Sequence, residues 1–230
     1  MTGTLYGVGV GPGDPELMTV KAWRLISTTD VIAYLCANGK DSTARNIAKP
    51  FIAEGTIEIA VDMPMRVERE PGEEAYDKGA AAIAASLDSG KNVVMLCEGD
   101  PFFYGSFMYI FERLAPKYKT IIVPGVTSIT AAAAAIGQPL VGRNDMLKVL
   151  PATLPEDKLH FELATSQAVA IIKVGRHFGK VKLLLAELGL LSKAMAVENA
   201  THHDQLIRPV ETIEGDTLPY FTTIIVRNAN

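Results

Sequence analysis

Acidic side chains set among glycines and aromatics mark the places where this chain could do chemistry. The run Leu96-Cys97-Glu98-Gly99-Asp100-Pro101-Phe102-Phe103-Tyr104-Gly105-Ser106 follows an apolar stretch, 92–96, that reads as a buried strand. It precedes a helix-like segment, 107–114, so it falls just past the carboxyl end of a strand, where α/β proteins bind ligands. Gly99 has no Cβ and lets a ligand approach the backbone closely. Asp100 brings charge, Pro101 stiffens the turn, and the three aromatics behind it can cover a flat ligand. The competing reading is a tight turn whose aromatics belong to the core.

A second stretch, Gly7-Val8-Gly9-Val10-Gly11-Pro12-Gly13-Asp14, follows the first predicted strand. It is not a dinucleotide fingerprint: counted from Gly7 the last glycine position holds Pro12, and counted from Gly9 it holds Asp14. No Walker lysine stands in register, so a P-loop is excluded as well. What remains is a glycine loop that lines a cleft or a plain strand-to-helix turn. A third turn, Pro124-Gly125-Val126-Thr127-Ser128, runs into an alanine-rich helix, 129–136, whose small side chains admit another element or a ligand. His202 and His203 are adjacent and diverge on any regular element, and His160 and His177 are isolated, so no metal site is expected. No Gly-x-Ser-x-Gly elbow supports a hydrolase.

The elements that must position these residues alternate between strand and helix, the pattern of an α/β fold with a largely parallel first sheet. Strands are predicted over 4–10, 31–34, 56–61, 92–96 and 120–123. Leu17, Val20, Trp23 and Leu25 follow the first strand at helical spacing, and helices are expected over 43–51, 73–87, 107–114 and 129–136. A polar loop, 63–72, interrupts them. Gly142-Arg143-Asn144-Asp145 reads as a hinge, giving lobes 1–143 and 144–230. The second lobe is expected to hold strands over 146–150, 168–174, 194–197, 207–213 and 221–226, with helices over 155–164 and 179–188.

Composition narrows the class. The 230 residues are 48% hydrophobic and 21% charged, enough for a sizeable core. A formal charge of −4 argues against nucleic acid as a partner. No apolar run reaches the roughly 18 residues of a membrane helix, and no basic leader precedes the first strand. Cys36 and Cys97 lack metal-ligand spacing and are expected as buried or semi-buried reduced thiols of a cytoplasmic protein.

Taken together in chain order, three stretches resemble the motifs of the S-adenosylmethionine-dependent tetrapyrrole methylases. They are the glycine loop with its continuation Pro15-Glu16-Leu17-Met18-Thr19, then Cys97-Glu98-Gly99-Asp100-Pro101, then Pro124 to Ser128. The resemblance continues through Pro151-Ala152-Thr153, Glu198-Asn199-Ala200-Thr201 and Thr222-Thr223. It implies two α/β lobes, S-adenosylmethionine held between them, a homodimer, and a tetrapyrrole substrate. The wording Glu98 to Ser106 is similar to members that methylate C20 of precorrin-2 or cobalt-precorrin-2 in cobalamin biosynthesis, and the polar insert 63–72 suits them. Glu98 departs from the Gly-Gly-Asp-Pro of members acting on uroporphyrinogen III.

By position, the resemblance assigns cofactor contacts to Glu98, Gly99, Asp100, Phe103, Tyr104, Thr127, Ser128, Val174, Ala200, Thr222 and Thr223. Gly11, Pro12 and Gly13 would face the substrate. A substrate rich in carboxylates calls for arginines, for which Arg66, Arg69 and Arg143 in predicted loops are candidates, although the 66–70 run also reads as a solvated charged loop. The reaction requires no metal, because a sulfonium methyl is already activated. It does require something to take the proton from the methylated carbon. Asp14 is the first candidate, with a helix N-cap as its competing role, and Glu98 and Tyr104 stand behind it.

Overall fold

Five parallel strands form the first sheet: β1 (Leu5–Gly9), β2 (Val31–Ala37), β3 (Ile57–Met63), β4 (Val93–Cys97) and β5 (Thr120–Val123), in the order β3-β2-β4-β1-β5. A computed structural model describes residues 2–39, 41–64 and 70–228 of the chain, which divides into two compact units, Met1–Thr127 and Ser128–Asn230. In the first unit β4 and β1 are almost wholly apolar and buried, as a parallel sheet covered on both faces requires. One face carries α3 (Glu70–Asp88) and α4 (Phe107–Leu114), whose Ile83, Leu87, Phe107 and Ile110 pack on Leu5, Val93 and Met95. The other face carries α1 (Val20–Thr28) and α2 (Thr43–Ala48), packed on Val8, Ile32, Val94 and Leu96.

Thr19 caps α1 by accepting the Ala22 N–H at 3.1 Å. Ala22 and Ile26, one turn apart, go inward, whereas Val20 is 67% exposed and Trp23 46%. Of the series Leu17, Val20, Trp23 and Leu25, Leu25 packs on this core while Val20 and Trp23 face outward, and Leu17 lies in a short 3-10 turn, Pro15–Leu17.

The second unit is built on a mixed sheet, β6 (Leu147–Pro151), β7 (Ala168–Ile172), β8 (Ala194–Glu198), β9 (Leu206–Pro209) and β10 (Thr222–Arg227), ordered β6-β7-β10-β8-β9. β6 and β7 are parallel, and β10 runs antiparallel between β7 and β8. Helices α6 (Glu156–Ala164) and α7 (Phe178–Glu187) bury Leu159, Leu163, Phe178, Val181 and Leu185 on one face. The alanine-rich α5 (Ser128–Ile136) lies along β10 and β8. Because α5 and the turn after it pack with this unit, the division falls at Thr127–Ser128, whereas the boundary expected from the sequence, near Arg143, lies beyond that helix. Arg227 of β10 holds the turn by donating to the carbonyls of Pro139 and Leu140 at 3.2 and 2.6 Å. The expected strand 207–213 stops at Pro209, whose missing N–H cannot continue a ladder, and becomes a 3-10 turn, Val210–Thr212.

Candidate functional site

All three predicted turns of the first unit leave the carboxyl edge of the parallel sheet from the adjacent strands β4, β1 and β5, and they meet backbone to backbone. The Gly99 N–H donates to the Gly11 carbonyl at 2.8 Å, and the Gly11 N–H returns a bond to the Gly99 carbonyl at 3.4 Å. A Cβ on Gly9 would lie 2.4 Å from the Gly99 oxygen, and one on Gly125 only 2.0 Å from it, so contact this close needs glycine at both. Gly99 itself has φ +61°, and a Cβ there would meet Val126 O at 3.7 Å and Thr127 Cα at 3.9 Å. Thr127 thus stands beside Gly99, and Ser128 opens α5.

Asp100 ties these turns together. One carboxylate oxygen accepts the Phe102 N–H at 2.9 Å, and the other accepts the Gly125 N–H at 3.0 Å. The side chain expected to face the cofactor is spent on main chain, leaving the backbone it shapes to make any contact. The three aromatics divide between the two sequence readings. Phe102 packs on α4, 5.0 Å edge-on from Phe111, while Phe103 and Tyr104 pair edge-to-face at 5.2 Å. Tyr104 is 43% exposed and holds φ +56°, a strained conformation for a bulky residue of the kind that collects at binding sites.

Asp14 caps the 3-10 turn, its Oδ1 accepting the Glu16 N–H at 2.8 Å. The capping role weighed against proton removal is the one the structure displays. Gly11 and Gly13 are buried and Pro12 half-buried at the base of this loop. Glu98, at the end of β4, accepts the Ala44 N–H of α2 at 3.1 Å. Its side chain is open to solvent by area yet crowded by protein, and this desolvation holds its carboxyl above the usual carboxylate range. Accessible area decides whether a ligand can reach it; crowding decides how well water can solvate its charge. Cys97 is fully enclosed, which pushes its thiol well up. Burial, then Asp62, does the same to Cys36, so neither cysteine is an activated nucleophile.

In the second unit the carboxyl ends of β6, β7 and β8 share one edge with the start of β10. Val174, Ala200, Thr222 and Thr223 are all buried there. The Asn199 N–H donates to the Phe221 carbonyl at 2.8 Å, and the Thr222 hydroxyl donates to the Pro219 carbonyl at 2.8 Å. Adjacent residues of a strand point to opposite faces, so Thr222 and Thr223 cannot both line one surface. Thr222 shares its face with Ile224 and Val226, which pack under α6 and α7, and Thr223 faces the other way. Lys173, Asn199 and Thr201 have positive φ of 56°, 48° and 68° at these strand ends. Sequence reasoning misses Lys173, because nothing in its residue type marks a strained backbone. Glu198, buried at the end of β8, receives a hydrogen bond from Arg208 of β9, whose Nε is buried without a partner.

Arg143 is exposed at φ +40° and pairs with no carboxylate among the described residues. Arg66 and Arg69 lie outside the described residues. Among the described residues no group of three His, Cys, Asp or Glu is placed to hold a metal ion, and no helix is long and apolar enough to cross a membrane.

A family model described as Tetrapyrrole (Corrin/Porphyrin) Methylases matches residues 4–214. The chain belongs to this family. Its fold agrees: the crystal structure of a cobalt precorrin-4 methyltransferase superimposes with a TM-score of 0.76 at 25% identity, covering 97% of this chain and 94% of that one. Among curated relatives, the cobalamin biosynthesis protein CobIJ of Mycobacterium tuberculosis is 43% identical over 228 residues, 96% of this chain. Those residues are 45% of CobIJ, so the chain spans less than half of that relative's length. A precorrin-2 C(20)-methyltransferase of Sinorhizobium sp is 36% identical over 232 residues, covering 97% of this chain and 95% of the relative. In the first unit of this tetrapyrrole methylase, the motifs that carry the resemblance converge at the backbone junction of Gly11, Gly99 and Gly125.

Proposed function

We propose that this chain is an S-adenosylmethionine-dependent C-methyltransferase that methylates C20 of precorrin-2 in cobalamin biosynthesis. The observation that carries the reading is the likeness over 97% of the chain to an enzyme of that name, with the three motif turns of the first unit meeting at one sheet edge. The donor set suits the cofactor. Around Gly99 and Gly125 the close approach of main chain suits a ligand held by backbone groups, and in the second unit the family resemblance matches Val174, Ala200 and Thr222, all buried at the strand ends, to the adenosine pocket. When bound, S-adenosylmethionine supplies an activated methyl group.

The protein's work is then positional. Main chain at Gly99 and Thr127, with Phe103 and Tyr104, orients the donor; Gly11, Pro12 and Gly13 form the floor for the macrocycle; Arg143 meets substrate carboxylates, as do Arg66 and Arg69. Asp100 acts behind the contacts by fixing the turns. Alignment of this kind supplies about 7–11 kcal/mol of a barrier. A homodimer, a cytoplasmic location and a reaction without metal complete the proposal. The test is incubation of purified protein and S-adenosylmethionine with precorrin-2 and, separately, cobalt-precorrin-2, followed by mass spectrometry and NMR. One methyl gained at C20 is expected, and the productive arm identifies the substrate. Cofactor binding without methylation of either would overturn the substrate assignment.

A further inference from the structure

Three of the carboxylates at the carboxyl edge of the first sheet, Asp14, Glu98 and Asp100, stand in the motif turns, and their commitments differ. Asp14 serves the Glu16 N–H, and Asp100 serves Phe102 and Gly125 with both oxygens. Glu98 accepts the Ala44 N–H on Oε1 and its own backbone N–H, and takes no other hydrogen bond from a described residue. No cation among the described residues pairs with it: Arg45 of α2, next in sequence to that contact, is spent on Glu58 through Nε and Nη2 at 3.0 and 2.9 Å. From β2, Cys36 turns to Asp62. On its own strand end the titratable neighbours are the raised Cys97 thiol and Asp100, and the connection from β2 to α2 carries Asp41. β4 lies between β2 and β1 in the sheet, so Glu98 directly precedes the glycine of the Gly11–Gly99 junction, exposed by area and without a cationic partner among the described residues.

Resting on the methyltransferase reading above, we infer that Glu98, rather than Asp14, accepts the proton released from the methylated carbon. As the new carbon–carbon bond forms at C20, the sulfur–methyl pair stays on sulfur. The C20–H bond then breaks, its electron pair returns to the conjugated macrocycle, and the proton passes to a Glu98 oxygen and on to water. A carboxylate denied full solvation is a stronger base than one in water, which suits this transfer.

Glu98→Gln keeps an oxygen for the Ala44 N–H, so that contact with α2 persists while basicity is lost. Measured on the full chain, the expected result is a fall in kcat of about 100-fold or more, the lower range for a lost general base. S-adenosylhomocysteine affinity stays within about twofold of the unmodified protein, and the acid limb of the kcat–pH profile disappears. Glu98→Asp recovers part of the rate and the acid limb. Asp14→Asn, as the comparison, leaves kcat within a few fold. Independently of turnover, Glu98→Gln raises Tm at pH 7, because ionising this crowded carboxyl opposes folding, and the gain vanishes in acid. A Glu98→Gln enzyme with unchanged kcat overturns the inference while leaving the methyltransferase reading intact. Loss of rate together with an unchanged acid limb assigns the carboxyl a structural role and also overturns it. Unmodified protein that methylates neither substrate overturns both.

Discussion

Asp100→Asn separates a side chain that touches ligand from one that shapes main chain. The native carboxylate accepts two backbone N–H groups, Phe102 at 2.9 Å and Gly125 at 3.0 Å. Asparagine retains one acceptor oxygen and turns an NH2 toward the other N–H, so one bond is lost and two donors face each other. The Phe102 bond is exposed and water can replace it; the Gly125 bond is partly buried and cannot be replaced as cheaply. A hydrogen bond to a charged group contributes about 1.5–3 kcal/mol, which sets the expected loss. At about 2–4 °C per kcal/mol for a chain of this size, Tm should fall by roughly 3–12 °C. Restoring the register of Gly99 against Gly125 then draws on binding, and about 1.4 kcal/mol weakens S-adenosylhomocysteine tenfold. Calorimetric melting with and without that ligand measures both terms. A variant with unchanged Tm and a large loss of affinity would refute the reasoning, since it would place Asp100 on the ligand itself. Unchanged values for both would show that the turns hold together without it.

Gly125→Ala puts a methyl 2.0 Å from the Gly99 oxygen, and because the obstacle is backbone the two turns must part; ligand affinity should be lost to below detection in titration calorimetry while the second unit's far-ultraviolet signal persists. Thr222→Val removes a donor to the Pro219 carbonyl and should cost about 1 kcal/mol by denaturant titration, whereas Thr223→Val, on the opposite face, should change stability by under about 0.5 kcal/mol. Arg45, and then Tyr34, hold the Glu58 carboxyl below its ordinary value of 4.5, so this pair stabilises above that pH and the contribution is lost as acid titrates it. Glu58→Gln should therefore lower Tm at pH 7, with the difference shrinking below about pH 4.5.

Most of the elements are legible in the chain because their signals are local. Apolar runs such as 92–96 and 168–174 read as buried strands, and the structure places strands at Val93–Cys97 and Ala168–Ile172. The ordered glycine motifs mark the edge of the site for the same reason, since a turn that demands glycine shows it in the sequence. The fate of each side chain is not local. Asp100 reads as a ligand contact and is a staple, because only the sheet order brings Gly125 within its reach. Trp23 turns outward because Ala22 and Ile26 form the face of α1 that packs on the sheet. Thr222 and Thr223, neighbours in sequence, part to opposite faces once the strand is extended. The order of strands and helices, the family motifs and the glycines that let three turns touch all follow from residue types read along the chain. Which backbone groups each carboxylate serves, with Asp100 reaching Gly125 and Glu98 reaching Ala44, follows from the folded arrangement, because packing chooses hydrogen-bond partners that lie far apart in sequence.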